Sequence, residues 1–226
     1  MKGFHMKQKC AKAAFGMLRD GMIAGLGGGT TVALLIEEIE KNHRNIQAVT
    51  PSWDTMQLCI RHHIPVLPLE MTKSIDIAFD GCDELDRDLN ALKSCGGIHT
   101  REKITASMAK EYVLLADEGK LKDRLTFSCP VTVEVIRCAA AYVEACLQEM
   151  GAQVTVRRCE KKSGLVISDD GNYLMDAKFK QADDIGKLAS ALDRIPGIAG
   201  HSLFYHIASK AVIAKADGVE IIYKNK

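Results

Sequence analysis

The sequence predicts an α/β protein: a parallel-sheet domain flanked by helices, with a small α+β unit inserted late in the chain. Three observations lead to that class. A short apolar run, Met22 to Leu26, passes directly through Gly27-Gly28-Gly29-Thr30-Thr31 into a helical pattern carried by Val32, Leu35, Ile36 and Ile39. Two further apolar runs, Ile75 to Phe79 and Tyr112 to Ala116, also stop in turn residues, and a helical pattern lies between them. Such alternation of strand and helix is the mark of a parallel sheet. From Ser128-Cys129-Pro130 the character changes to helix, hairpin strands and helix.

Taken in order, residues from about Phe4 to Arg19 set Ala11, Ala14, Phe15 and Leu18 at helical spacing and stop before Asp20-Gly21. Lys7 projects from that helix. The strand, glycine loop and helix that follow form a phosphate cradle by their physics. Gly28 and Gly29 admit close backbone approach, the helix end offers N–H groups, and Thr30 and Thr31 add hydroxyl donors. A dinucleotide fingerprint counted from Gly25 fails, because Thr30 stands where glycine or alanine is needed and the second strand, Ile46 to Val49, ends in Thr50-Pro51-Ser52 without an acid. No Gly-Lys-Ser/Thr appears, so the P-loop fails as well. A lone phosphate on a sugar fits better.

The hydroxyls of Thr50 to Thr55 read either as substrate contacts or as a cap for the helix through Met56, Leu58 and Cys59. Trp53 reads as packing. His62-His63 precede a short strand, Val66 to Leu69, and read as surface residues rather than metal ligands.

The chain's chemistry concentrates around Asp80-Gly81-Cys82-Asp83, at the carboxyl end of the Ile75 strand. In open parallel sheets that end faces the ligand crevice. Lys93, the loop Ser94-Cys95-Gly96-Gly97 and the helical pattern opened by Thr100-Arg101-Glu102-Lys103, running through Lys110, follow closely. A carboxylate such as Glu102 can abstract a proton from a carbon beside a carbonyl. Lys93 and loop amides can stabilise the enolate oxygen, and a carboxyl kept protonated by a like-charged neighbour can donate to the other oxygen. Acids after a strand also read as turn formers and caps. Lys120 again stands at a strand's carboxyl end, as a substrate contact or a solvated charge.

Beyond Pro130 the spacing predicts one long helix through Val135, Ala139, Tyr142, Val143, Cys146 and Leu147, closing at Gly151. Alternation at Val154 to Arg157 and a hairpin of Gly164 to Ser168 with Tyr173 to Phe179 across Asp169-Asp170-Gly171-Asn172 follow. A helix from Asp183 to Arg194 completes a unit of the split βαβ kind. The tail hairpin, Ala211 to Lys215 with Val219 to Tyr223, returns to the first domain. The expected division is therefore 1–127 plus 205–226 around an insertion at 128–204.

Composition narrows the partners. With 30 Lys+Arg against 29 Asp+Glu in 226 residues, no bulk field argues for nucleic acid or membrane. No apolar run approaches the roughly 20 residues of a span. The amino terminus lacks a signal peptide's apolar core, so the expected location is the cytosol. Eight cysteines without a Cys-x-x-Cys pair read as reduced packing thiols, Cys82 and Cys95 apart because they fall inside the site.

In order and over nearly the whole chain, GLGGGTT, TPSWDT, AFDGCDELDRDLNALK, GGIHTREK, LADEGKL, CPVTVEV, IPGIAGHSLF and ADGVEII resemble ribose-5-phosphate isomerase type A. The resemblance implies a Rossmann-like catalytic domain with a ferredoxin-like insertion, a homodimer or homotetramer, and cofactor-free interconversion of ribose 5-phosphate and ribulose 5-phosphate in the pentose phosphate pathway. It implies Glu102 as the base that moves a proton between C1 and C2, and Asp80, Asp83 and Lys93 as the groups on the reacting oxygens. Residues 28–31, with Lys7 and Lys120, would hold the phosphate and substrate, with Gly81, Cys82, Ser94, Cys95 and Gly96 lining the rest. The chain departs from the family pattern at Gly28, which replaces a hydroxyl, at Ser94-Cys95 in a glycine run, at Ile98-His99 in place of Ala-Leu, and around Tyr205 to Ser209. Against this stands a sugar-phosphate sensor of the same fold or an isomerase with a shifted substrate. The sensor would carry a helix-turn-helix, which this chain lacks, and has no need of Glu102 together with Lys93.

Overall fold

The structure, a computed structural model, describes residues 2–224. Its centre is a six-stranded sheet whose first half is built by strand and helix in alternation: α1 (Lys2–Phe15), β1 (Ile23–Leu26), α2 (Thr30–Lys41), β2 (Gln47–Val49), α3 (Trp53–Arg61) and β3 (Ile75–Gly81). β1 pairs in parallel with both β2 and β3. Apart from Asp80 at the end of β3, the buried residues of these strands are apolar, because helices cover them. Cys10, Ala14, Leu35, Ile36 and Ile39 of α1 and α2 pack on Leu26, Ile77 and Phe79 in one buried cluster.

After β3 the chain makes a small antiparallel turn, β4 (Glu84–Asp86) with β5 (Ala91–Leu92), then α4 (His99–Met108) and β6 (Ala109–Asp117). The helical pattern expected through Lys110 stops at Met108, since β3 claims β6 from Ile75↔Ala109 to Gly81↔Leu115 and sheet pairing overrides local propensity. The strand expected over Val66 to Leu69 reduces to one bridge, Ala48↔Val66, and a 3₁₀ turn at Leu69–Met71. Pro65 and Pro68 remove the N–H donors a ladder needs.

A short β7 (Leu121–Lys122) precedes the second unit: β8 (Val131–Val135), α5 (Ala140–Glu149), β9 (Gln153–Val156), β10 (Tyr173–Lys178), α6 (Ile185–Asp193) and β11 (Ile198–His201). The long helix expected through Val135 is thus a strand followed by a helix. Val131, Val133 and Val135 are β-branched and alternate, and β8 is the central strand between β10 and β11. The sheet order β11-β8-β10-β9, with α5 between β8 and β9 and α6 between β10 and β11, is the split βαβ arrangement. The Asp169 to Asn172 turn forms, but Gly164 to Ser168 makes only isolated bridges at Leu165 and Ile167; β10's ladder partners are β8 and β9.

β12 (Leu203–Phe204) then joins β5, giving a third sheet, β12-β5-β4-β7, between the other two. β13 (Lys210–Ala214) enters the central sheet parallel to β6, and β14 (Val219–Tyr223) closes it as the predicted hairpin. Among the described residues no helix is long and apolar enough to cross a membrane.

Glu84 of β4, itself buried, fixes the crossover into the second unit. Its carboxylate accepts from the Thr126 backbone N–H, from the Ser128 N–H at 3.1 Å and from the Ser128 hydroxyl at 2.6 Å. Burial opposes its ionisation, but these donors outweigh burial and hold it below the usual glutamate range. Its stabilisation is therefore present above the ordinary glutamate pKa and lost as acid protonates it. Glu84→Gln should cost about 1–3 kcal/mol at pH 7 and narrow its gap to wild type on acidification, measured by urea unfolding at pH 7 and pH 4; equal stability at pH 7 would remove Glu84 from that role.

Candidate active site

The carboxyl end of β3 lies inside the sheet, between β1 and β6, where splayed strand ends leave a crevice. Asp80 is buried there. Its Oδ1 accepts the Gly81 N–H at 2.8 Å, and Tyr112 Oη lies 3.4 Å from its Oδ2. Asp80 packs so closely on the loop after β1 that a Cβ at Gly27 would fall 2.1 Å from its carboxyl carbon, so residue 27 must be glycine. The β4–β5 turn carries the chain back to Lys93, whose backbone N–H donates to Ser202 at 3.0 Å. Lys93 Nζ then stands 3.0 Å from Asp80 Oδ2 and 3.2 Å from Glu102 Oε1, with all three side chains under a tenth exposed, and it also donates to the Gly81 carbonyl. Glu102 reaches this point from the first turn of α4.

One cation thus serves two buried carboxylates. Burial would lower the Lys93 pKa, but Asp80 and Glu102 outweigh it and raise it, so the ammonium is kept. Glu102 is pushed from 4.5 up to about 8, first by burial and then by the Asp80 charge, with Lys93 opposing. Tyr112 rises for the same reasons, burial first and then Asp80 and Glu102, and stays a neutral phenol. Such a glutamate can take up and return a proton near neutral pH.

The glycine loop forms another wall of the same cavity, of about 480 Å³. Gly29 caps α2 without a side-chain bond, which leaves the first-turn N–H groups free for an anion. Lys7 Nζ donates to Thr30 Oγ1 at 2.6 Å, and Lys120 Nζ donates to the Cys82 carbonyl at 2.6 Å. The wall includes Lys7, Gly28, Gly29, Thr30, Thr31, Asp80, Gly81, Cys82, Asp83, Lys93, Gly96, Glu102 and Lys120. Ser94 and Cys95 are absent from it. They contribute backbone instead: Asp83 Oδ2 accepts the Ser94 N–H at 2.6 Å and the Cys95 N–H at 2.9 Å. The Ser94 side chain turns away, donating to the Pro130 carbonyl beside Ser202 Oγ. Neither residue has positive φ; Gly97 does, at 70°.

Sequence reasoning missed Asp169, from the turn before β10, and Leu115 and Ile98 on the wall. Trp53 is not packing: its side chain is 66% exposed and lines the cavity. Of the Thr50 to Thr55 hydroxyls, that of Ser52 caps α3, accepting from Thr55 N at 3.3 Å, and Ser52 also faces the cavity. Behind Glu102, burial lowers Lys103 to about 8; its Nζ donates to the Leu203 carbonyl at 3.1 Å and lies over the Phe204 ring, which Lys93 also faces. His62 bonds Glu40 at 2.6 Å, and among the described residues no three His, Cys, Asp or Glu side chains are grouped to hold a metal ion.

A family model described as ribose 5-phosphate isomerase A (phosphoriboisomerase A) matches residues 47–218. The chain belongs to that family. It is 36% identical to ribose-5-phosphate isomerase A of Methanocaldococcus jannaschii over 99% of this chain and 100% of that one, and 36% identical to that of Synechococcus sp. over 95% and 94%. The solved ribose 5-phosphate isomerase a of M. jannaschii superposes with a TM-score of 0.91 at 35% identity over 97% of this chain and 99% of that one. A D-ribose-5-phosphate isomerase structure in complex with phospho-erythronic acid gives 0.92 at 35% identity, over 97% and 98%. At Gly28, where this chain departs from the family pattern, there is room for the side chain it lacks, since a Cβ there would stand 3.7 Å from Ile98 Cδ1 and 3.8 Å from Ser52 Oγ.

The raised Glu102 pKa has a thermodynamic consequence. The folded state holds that proton more tightly than the unfolded chain, so Glu102's contribution is complete below about 4.5 and is lost as pH rises through about 8. Relative to Glu102→Gln, wild type should therefore lose stability between pH 5 and pH 8, measured by urea unfolding at both; a constant difference would refute the raised pKa.

Proposed function

We propose that this protein is an aldose–ketose isomerase that interconverts D-ribose 5-phosphate and D-ribulose 5-phosphate by proton transfer through an enediolate. The observation that carries the reading is the buried Glu102–Lys93–Asp80 group in one cavity with Lys7 and the uncapped amino end of α2. The phospho-erythronic acid held by a solved relative supports a phosphorylated sugar as occupant.

In this mechanism the amino end of α2, Thr30, Thr31 and Lys7 hold the phosphate and thereby fix C1 and C2 at the other groups. Binding energy from that non-reacting end orients the reacting one. Asp80, Asp83 and Lys93 bind the oxygens and assist ring opening. Glu102, ionised, takes the proton from C2 of the open aldose; the C–H electron pair forms the C1=C2 bond and the carbonyl pair moves onto O1. Lys93 stabilises that developing charge in a site shielded from water. Glu102 returns the proton to C1 while the proton of the C2 hydroxyl passes to O1, so that C2 becomes the carbonyl and O1 a hydroxyl. No electrons enter or leave, so the chemistry asks for no redox partner. An assembly of two or four copies belongs to the same proposal, and exposed Val219, Ile221 and Tyr223 on the edge strand β14 offer apolar surface that it would cover.

Purified protein with ribose 5-phosphate in D₂O should form ribulose 5-phosphate and exchange the migrating hydrogen. Glu102→Gln should lower kcat by on the order of 10²–10⁴-fold, and wild-type kcat/KM should rise with pH toward a plateau above about 8 as Glu102 ionises. Product without any loss in the variant would remove Glu102 as the base; absence of product and exchange in wild type would overturn the isomerase reading. Lys7→Ala should raise KM by about 10-fold or more with a smaller change in kcat, because a phosphate contact is mainly uniform binding. Initial-rate kinetics decide this, an unchanged KM excluding Lys7 from the phosphate site.

A further inference from the structure

We propose that Arg157, which directly follows β9, is a positioning residue for the isomerisation, holding the Ser94 to Gly97 loop in register so that its amides stay on Asp83. The kinetic part of this inference rests on the isomerase reading above.

The loop is held from both sides. On its amide side Asp83 takes both N–H groups, as described above. On its carbonyl side Arg157 Nη2 donates to the Ser94 carbonyl at 2.6 Å and Nη1 donates to the Cys95 carbonyl at 3.3 Å. Two successive residues, Ser94 and Cys95, are thus each held at both N–H and carbonyl. Asp83 belongs to the catalytic half of the chain and Arg157 to the split βαβ unit, so the loop is clamped across the junction.

Arg157 is itself immobilised. Its Nε donates to Asp176 Oδ2 at 2.8 Å and its Nη2 to Asp176 Oδ1 at 2.8 Å, a fork on the neighbouring strand β10. Nη2 also donates to the hydroxyl of Thr132, a fully buried β8 residue 2.6 Å from Asp176 Oδ1. Gly97 completes the fit. With φ at 70°, a Cβ there would fall 2.8 Å from Leu174 Cδ1 and 3.1 Å from Arg157 Nη1, so the loop lies flat against β10 and the guanidinium.

The consequence reaches the chemistry because of what the loop joins. It begins at Lys93 and leads through Ile98 into the first turn of α4, which carries Glu102. A slip of the loop moves both groups, and misplacement of about 1 Å can cost on the order of 10²-fold in rate. A planar guanidinium can reach a carboxylate and two carbonyls at once, whereas an ammonium is a point charge on a flexible stem.

The test compares Arg157→Ala, Arg157→Lys and Asp176→Asn with wild type. For Arg157→Ala, kcat on ribose 5-phosphate should fall by about 10- to 100-fold, with KM and competitive inhibition by inorganic phosphate changed less than about threefold, because the phosphate wall does not touch Arg157. Guanidinium ion in the assay should restore part of that kcat in Arg157→Ala and not in Arg157→Lys. Alkylation of Cys95, followed residue by residue by mass spectrometry, should be faster in all three variants, since its carbonyl side is released. Should Arg157→Ala fail to fold, the other two variants carry the same readouts. The proposal is overturned if kcat stays within about twofold of wild type, or if it falls only with the folded fraction and Cys95 alkylation is unchanged. Wild type that fails to isomerise the sugar would count against the functional reading alone; the Cys95 rates and phosphate binding by calorimetry would still decide the role of Arg157.

Discussion

A single buried ammonium between two buried carboxylates is the constraint on which the molecule depends. Lys93 lies within 3.2 Å of both Asp80 and Glu102. Taking such charges out of water is costly, and their attraction compensates only where geometry and further hydrogen bonds are good. The fold supplies these. Asp80 is fixed by the Gly81 N–H and by a glycine at 27 that lets the carboxyl pack on backbone, and Lys93 gains the Gly81 carbonyl. Yet the sum of charges is unbalanced, two acids for one base, and the imbalance falls on Glu102. That surplus, together with burial, lifts its proton affinity into the range where a carboxyl can both accept and return a proton.

The second unit is a support for this arrangement rather than an appendage. Ser202, just beyond β11, accepts from the Lys93 backbone; Thr126 and Ser128, at the entry to β8, are tied to Glu84; Arg157 and Thr132 meet the Ser94 to Gly97 loop. The small third sheet makes these contacts possible, because β12 follows the split βαβ unit yet pairs with β5, which leads into Lys93. Phe204 of β12 places one ring beneath both Lys93 and Lys103, offering an apolar, polarisable surface to two cations that have little water.

Local patterns made much of this legible in the sequence. The glycine loop, the acids at the end of the Ile75 strand and the helix through Glu102 are contiguous stretches whose physics is local, and they lie together in one cavity. What stayed hidden depends on pairing at long range. Val131 to Val135 carries strand residues, but helical spacing downstream ran into it, and only β10 and β11 on its two sides make it a central strand. β5 and β12 are two residues each and have no periodicity to read. Trp53, Asp169 and Arg157 gave no signal because nothing in their neighbours reveals which surface they meet; an arginine in an alternating run reads simply as the polar side of a strand. Thr155 beside it shows the same pattern with no such contact to the loop.

The departures from the family pattern sort by which side of the loop they occupy. Ser94 turns its hydroxyl to the Pro130 carbonyl and Ser202, and neither it nor Cys95 adopts the left-handed backbone that would demand glycine, so side chains at 94 and 95 fit behind the loop while its amides still face Asp83. His99, unlike the exposed Cys95, is enclosed, and burial, with the Lys103 charge adding to it, lowers it to about 3, so it remains neutral and sends no charge toward Glu102. Gly28 differs from these because it stands on the cavity wall. There the absent hydroxyl cannot be replaced by packing elsewhere, and the nearest side-chain oxygen, Ser52 Oγ, belongs to the cap of α3. The phosphate site proposed above would consequently rest on backbone N–H groups, Thr30, Thr31 and Lys7, and a further loss from that wall would weigh more than a substitution at 94 or 95.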